Sequence, residues 1–433
     1  MPLQSPGHGS PGGAPRDGRA TPLVEPAGTP GRYRVTFLWR ARSEDERAVV
    51  LINTLTDRDR HAGDIGAHVM IREPGGDVLR LTYELDGDLR ASYQILPCQE
   101  VPGTDRDSWL RVMMTALPDP GNPVRVPGGH GRNPSSLLEL PDAPAQPYRD
   151  RRPGVPAGRV RESAVAGRRV WVYTPPGHEA SAAGTSEREV PGTPGSSAVP
   201  AVPAVPVAPV APVAPVAPVA PAAERGGGAA GRRGGGPYPV LVLLDGDVWA
   251  GRIAPTMDNL IAEGRIPPTV VLLPDAVDRP TRLREMACHE PFVRHLADDL
   301  LPWAQREWGV TGDPGLTVVA GQSFGGLTAS YAAFTAPERF GNVLSQSGSY
   351  WWSDDDPEWL TRRYERAPRL PVRFHVEAGR LEWMLLAENR RFAEVLTAKG
   401  YEVTFTEYNG GHDPACWLGG LASGLSGLAA GWS

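Results

Sequence analysis

The sequence predicts an α/β chain in which a mostly parallel sheet, covered by helices on both faces, follows a small antiparallel β-sandwich. Three observations carry that prediction. In the carboxy-terminal half, continuous apolar runs (PVLVLLDGD from Pro239, PTVVLLPDA from Pro268, LTVVAGQ from Leu316) alternate with long helical stretches, as strands buried on both faces do. In the amino-terminal part, short β-type runs recur between charged or Gly/Asp-containing turns, which suits a sandwich. Between the two lies a stretch dense in Pro, Gly and Asp.

With 433 residues the chain has room for two ordinary cores. Residues 1–31 are rich in Gly, Pro, Arg and Ser; they bury too little apolar surface to offset their ordering entropy and are expected to be disordered. YRVTFLWRA, RAVVLIN, VLRLTYEL and ASYQILP then supply the sandwich strands. Val101 to Tyr148 is expected to form an irregular connector, so that residues 32–148 make up the first unit and residues 149–433 the second. Within the second unit RRVWVYTP reads as a strand, and an insert at about 177–236, built of Val-Ala-Pro triplets and then Gly and Arg, reads as a solvated polyproline spacer with no chemistry.

Bulk properties narrow the function. A formal net charge of -6 lacks the basic field that a general nucleic-acid or membrane-surface binder needs. Cys98, Cys288 and Cys416 are 3 in number and far apart, which suggests neither a disulfide framework nor a thiolate metal site. The amino terminus has no apolar core of a secretory signal, and no apolar run of about 18 residues occurs, so no span is expected. A cytoplasmic protein follows as the expectation.

The chemistry concentrates in LTVVAGQSFGGLTASYAAF, where an apolar strand runs through Gly321-Gln322-Ser323-Phe324-Gly325 into a small-residue helix. A nucleophilic serine on a strained strand-to-helix turn needs this pattern, because glycines two residues before and after it let the backbone fold tightly. With 51 glycines in the chain, about 0.3 such matches arise by chance, so it is the flanking strand and helix that identify Ser323 as the nucleophile of an α/β-hydrolase fold. A serine needs a base, and in this fold the base follows the last strand. His412 meets that condition, lying after YEVTFTEY and Asn409-Gly410-Gly411. The orienting acid is expected just beyond the strand VRFHVEA. Glu382 is the first choice, Glu377 at the strand end the second, and Asp413, adjacent to the base, is poorly directed. The oxyanion of ester cleavage needs two fixed donors: the N–H of Phe324, and that of Gly246 or Asp247 after the strand PVLVLL.

These residues resemble the enterochelin (enterobactin) esterase family. The carriers are LLDGDVWA at 243–250, RLREM from Arg282, GQSFGGL at 321–327, ERFGNVLSQSGSYWW at 338–352, EAGRLE at 377–382 and GGHDPACWLGGL at 410–421. In the amino-terminal half VTFLWR, NTLTDR, DLRASYQILP and LPDPGNP resemble that family's β-domain and connector. The resemblance covers nearly all of the chain except the first 30 or so residues and the proline-rich insert, which greatly extends a loop of the family. It implies hydrolysis of the trilactone of a ferric catecholate siderophore such as enterobactin, with no cofactor, iron arriving only as part of the substrate, and no nucleic-acid or membrane partner; a monomer would suffice. An anionic, aromatic substrate calls for cations and flat apolar faces, and Arg282, Trp249, Trp351 and Trp352 are the expected contacts. A general carboxylesterase for small acyl or aryl esters, an acyltransferase and a non-catalytic siderophore-binding module are the competing readings.

Overall fold

The computed structural model describes residues 20–128, 133–178, 188–189, 237–353 and 355–432. Among the described residues eight strands form the amino-terminal sandwich: β1 (Leu23–Pro26), β2 (Arg32–Arg40), β3 (Arg47–Ile52), β4 (Ile71–Arg72), β5 (Val78–Asp86), β6 (Arg90–Cys98), β7 (Arg125–Val126) and β8 (Ser135–Glu139). They make two four-stranded sheets, β1-β2-β5-β4 and β3-β6-β8-β7. Alternation places Val35, Phe37 and Trp39 inward from one sheet, against Val50, Ile52, Tyr93 and Ile95 of the other. Phe37 meets Tyr93 edge-on at 4.9 Å. The outward residues Val49 and Leu96 are covered by Trp109 and Val112 of the helix Arg106–Thr115, so β3 is buried on both faces and reads as an unbroken apolar run.

Two sequence expectations are corrected here. Residues 20–31 are not disordered, since β1 pairs antiparallel with β2 and the buried Thr21 hydroxyl donates to Asp119 at 2.8 Å. Nor is 101–148 an irregular connector: its helix, capped by Asp105 accepting the Ser108 N–H, and strands β7 and β8 complete the second sheet. Both misreadings have one cause, short elements set among prolines and glycines. Residues 1–19 lie outside the described residues.

Among its described residues the second unit is a nine-stranded sheet built from β9 (Arg159–Val165), β10 (Arg168–Thr174), β11 (Arg188–Glu189), β12 (Val240–Leu243), β13 (Val270–Pro274), β14 (Thr317–Gln322), β15 (Asn342–Gln346), β16 (Arg373–Gly379) and β17 (Glu402–Tyr408). Its order is β11-β9-β10-β13-β12-β14-β15-β16-β17. The pairs from β13 to β17 are parallel and those of β9, β10 and β11 antiparallel. On β12, Val240 and Val242 enter one core while Leu241 and Leu243 enter the other, the two-sided burial that the continuous apolar run predicts. Helices on both faces complete three layers of the α/β-hydrolase type. The proline-rich insert lies outside the described residues apart from its first two residues and from Arg188 and Glu189, which add a short edge strand to β9. No helix among the described residues is long and apolar enough to cross a membrane.

Candidate active site

Ser323 sits between β14 and the helix Phe324–Thr335 with φ 58° and ψ -123°, a conformation only a tight turn enforces. The turn depends on a missing side chain, because a Cβ on Gly321 would lie 2.5 Å from the Gly325 carbonyl carbon. Backbone bonds from Ser323 N–H to the Gln346 carbonyl (3.0 Å) and from the Ser349 N–H to the Ser323 carbonyl (3.1 Å) fix the serine against β15. Its hydroxyl lies 3.3 Å from that of Ser349.

His412 follows β17. Its Nδ1 is 2.8 Å from Glu382 Oε2, and Glu382 is 2 % exposed. The other oxygen, Oε1, accepts from the Gly379 N–H (2.7 Å), the Ser347 hydroxyl (2.6 Å) and the Tyr408 hydroxyl (3.2 Å). Burial, and after it the charge of Glu382, push the Tyr408 phenol well up, so it remains a neutral donor. These donors take up Oε1 and leave Oε2 aimed at the imidazole. Trp417 packs edge-on to the imidazole at 4.8 Å and donates its indole N–H to Ser347 at 2.9 Å.

Glu377, the alternative acid, is committed elsewhere. It ends a buried chain in which the Trp249 indole donates to Gln322 (2.9 Å), Gln322 to Gln346 (2.7 Å) and Gln346 to Glu377 (2.6 Å). This chain is the floor under the serine turn. Asp413 faces away from the imidazole chemistry: fully buried, it accepts the Ser92 N–H of the sandwich (2.5 Å) and caps the helix Pro414–Leu428 through the Ala415 N–H (2.9 Å). His375, in β16, is buried with Nε2 3.7 Å from Glu377.

Ser323, His412 and Glu382 open on one cleft of about 510 Å³ between the two units. The catalytic unit contributes Phe324, Trp351 and Trp383 to its walls, and the sandwich contributes Asn53, Thr54 and Trp109. Phe324 and Trp351 stand edge to face at 5.7 Å. Three expected substrate contacts do not line this cleft. Trp249 is 4 % exposed and belongs to the core beneath the serine. Trp352 packs on the core against Trp359. Arg282 is engaged by Asp245 in two hydrogen bonds of 2.5 and 2.7 Å. Aromatic and cationic residues near motif blocks look alike in sequence whether they face a cleft or a core. Among the described residues no Lys or Arg lines the cleft. Gly246 and Asp247 start a one-turn helix after Asp245, which holds φ 60° and ψ 50°. The sequence does not single out Asn53, Thr54, Ser347, Ser349 or Tyr408; Asn53 and Thr54 lie in NTLTDR, and Ser347 and Ser349 in ERFGNVLSQSGSYWW, so their signal came only through family resemblance.

The family described as "Enterochelin esterase, N-terminal" matches residues 34–149, and that described as "Putative esterase" matches residues 231–428. An iron(III) enterobactin esterase of Dickeya dadantii is 31% identical over 455 residues, covering 95% of this chain and 91% of its own. That of Escherichia coli O6:H1 is 31% identical over 420 residues, covering 91% of this chain and 90% of its own. The enterobactin esterase of Shigella flexneri, solved in the presence of enterobactin, superimposes with a TM-score of 0.74 at 28% identity, covering 96% of this chain and 98% of that one.

Proposed function

This chain belongs to the family of the iron(III) enterobactin esterases, and on that footing we propose that it hydrolyses the trilactone ester bonds of a ferric catecholate siderophore such as enterobactin, so that iron is released inside the cell. The observation that carries the reading is a strained serine sharing one cleft with an imidazole that a buried carboxylate orients.

In the proposed reaction the Ser323 hydroxyl attacks an ester carbonyl while His412 takes its proton. Glu382 holds the imidazole in the tautomer that leaves Nε2 ready to accept, and stabilises the cation that forms. The tetrahedral oxyanion is held by the N–H of Phe324, the first residue of its helix and so without a partner inside it, and by that of Gly246 or Asp247 at the start of another helix. His412 then gives the proton to the leaving serine alcohol of the substrate, and the acyl–Ser323 ester is cut by water through the same groups in reverse. Phe324, Trp351 and Trp383 offer flat faces to catecholate rings. The chemistry calls for no cofactor, iron entering only with the substrate. A cytoplasmic site of action fits the unpaired Cys98, Cys288 and Cys416, and nothing in the scheme requires more than one copy of the chain, a nucleic acid or a membrane.

The test is chromatography of the products formed from ferric and iron-free enterobactin by the wild-type protein and by Ser323→Ala. Linear trimer, dimer or monomer should form with wild type only. No turnover of either siderophore, together with Ser323-dependent cleavage of simple aryl esters, would make this a general carboxylesterase instead.

A further inference from the structure

The base His412 is held not only by its carboxylate partner. Its own peptide N–H donates to the Thr54 hydroxyl oxygen at 2.9 Å, and its carbonyl accepts from Asn53 Nδ2 at 3.2 Å. Both partners come from the sandwich, 358 and 359 positions away in sequence. The two side chains form one directional unit, since the Thr54 hydroxyl spends its single proton on Asn53 Oδ1 at 2.9 Å and is left to accept from His412. The unit is rigidly mounted at the end of β3, where Ile52 pairs with Tyr93 and the Asn53 N–H donates to the Ser92 carbonyl at 2.9 Å.

Two further facts show that the contact is built. Thr54 is 8% exposed and holds φ at 70°, a region that a β-branched residue enters only under strain and a glycine enters freely. The backbone here would accept glycine; the hydroxyl is what glycine cannot supply. Opposite it, a Cβ on Gly411 would lie 1.9 Å from Thr54 Oγ1, so the His412 loop reaches Thr54 only because residue 411 has no side chain.

We infer that the amino-terminal sandwich is a working part of the catalytic centre, with Asn53 and Thr54 as positioning residues that fix the main chain of His412 while Glu382 fixes its ring. The inference rests on the reading of His412 as the base of a serine esterase. With ring and main chain both held, the imidazole has its reach to Ser323 set in advance, which is how an apparatus on two units keeps the geometry that proton transfer needs.

Asn53 and Thr54 also line the cleft, so the test separates positioning of the base from contact with substrate. The full-length Asn53→Ala/Thr54→Val variant is compared with wild type, Thr54→Ser and Ser323→Ala in two assays. One is the second-order rate of fluorophosphonate labelling of Ser323; the other is kcat and KM for p-nitrophenyl acetate, a substrate too small to span the cleft. Positioning predicts that labelling and kcat fall about tenfold or more, within what a misplaced catalytic group costs, with KM unchanged and Thr54→Ser close to wild type. Wild-type labelling and aryl-ester kcat in the double variant, with a raised KM for the siderophore alone, would overturn the inference and make the pair a substrate contact. Should the double variant unfold, Thr54→Val read against Thr54→Ser decides by the same criteria. Undiminished siderophore cleavage by Ser323→Ala would instead sink the serine-esterase reading on which the inference rests.

Discussion

At Ser323 the backbone is kept in a region that costs a non-glycine residue about 1–3 kcal/mol, and the residues around it differ in how they sustain that strain. The two glycines of Gly-x-Ser-x-Gly look equivalent in sequence and are not equivalent in space. A Cβ on Gly321 would fall 2.5 Å from backbone, whereas one on Gly325 would find its nearest neighbour, Asp245 Oδ2, at an ordinary 3.6 Å. Gly321→Ala is therefore expected to lower stability by about 3 kcal/mol or more, as overpacking against backbone does. Gly325→Ala, in the first turn of a helix, should hold or raise it by about 0.4–1 kcal/mol through the unfolded state. Thermal unfolding of the two variants checks the contrast, and equal losses would contradict it. Residue identity alone also left Glu382 and Glu377 as rival partners for His412, because both lie near the end of one strand. The buried amide chain from Trp249 through Gln322 and Gln346 takes up Glu377, and no sequence pattern announces such a chain.

Elements written as unbroken apolar runs were the legible ones. β12, β13 and β14 lie inside the sheet and carry apolar residues on both faces, so their runs betray them, and the serine turn follows from the strand before it and the helix after it. Short elements with few apolar residues, or set among prolines and glycines, were hidden. β1 is four residues with three of them exposed, held by β2 and by the Thr21–Asp119 bond, and β8 supplies its apolar residues from within a Pro- and Gly-rich stretch. The same limit governs the aromatic residues: Trp351 faces the cleft, but its neighbour Trp352 faces the core. Adjacent positions around an irregular turn carry no periodicity to tell them apart.

For the molecule as a whole, the decisive feature is the seam between the sandwich and the hydrolase unit, which converges on the His412 loop. Arg90 N–H donates to the Asn409 carbonyl (3.0 Å), Ser92 N–H to Asp413 (2.5 Å) and Gln146 to the Ala415 carbonyl (3.0 Å). Asp88 joins from the sandwich, accepting from Asn409 Nδ2 at 2.6 Å and pairing with Arg380. Partial burial would raise the Asp88 carboxyl, but the hydrogen bonds from Asn409 and Arg380 outweigh it and hold the group below the usual aspartate range. A carboxylate lowered on folding contributes stability above its unfolded pKa and loses it as pH falls through the folded one. The thermal midpoint of Asp88→Asn should therefore lie below wild type at neutral pH, with the gap closing only under strongly acid conditions. A gap independent of pH would mean that the charge plays no part.

In the proposed reaction siderophore cleavage passes through a covalent bond to Ser323. Its most direct test is titration of the wild-type protein with a fluorophosphonate, following turnover of ferric enterobactin alongside mass mapping of the adduct. One adduct is expected, on the peptide that carries Ser323, with loss of turnover in proportion to its occupancy. Full occupancy with turnover intact would contradict it.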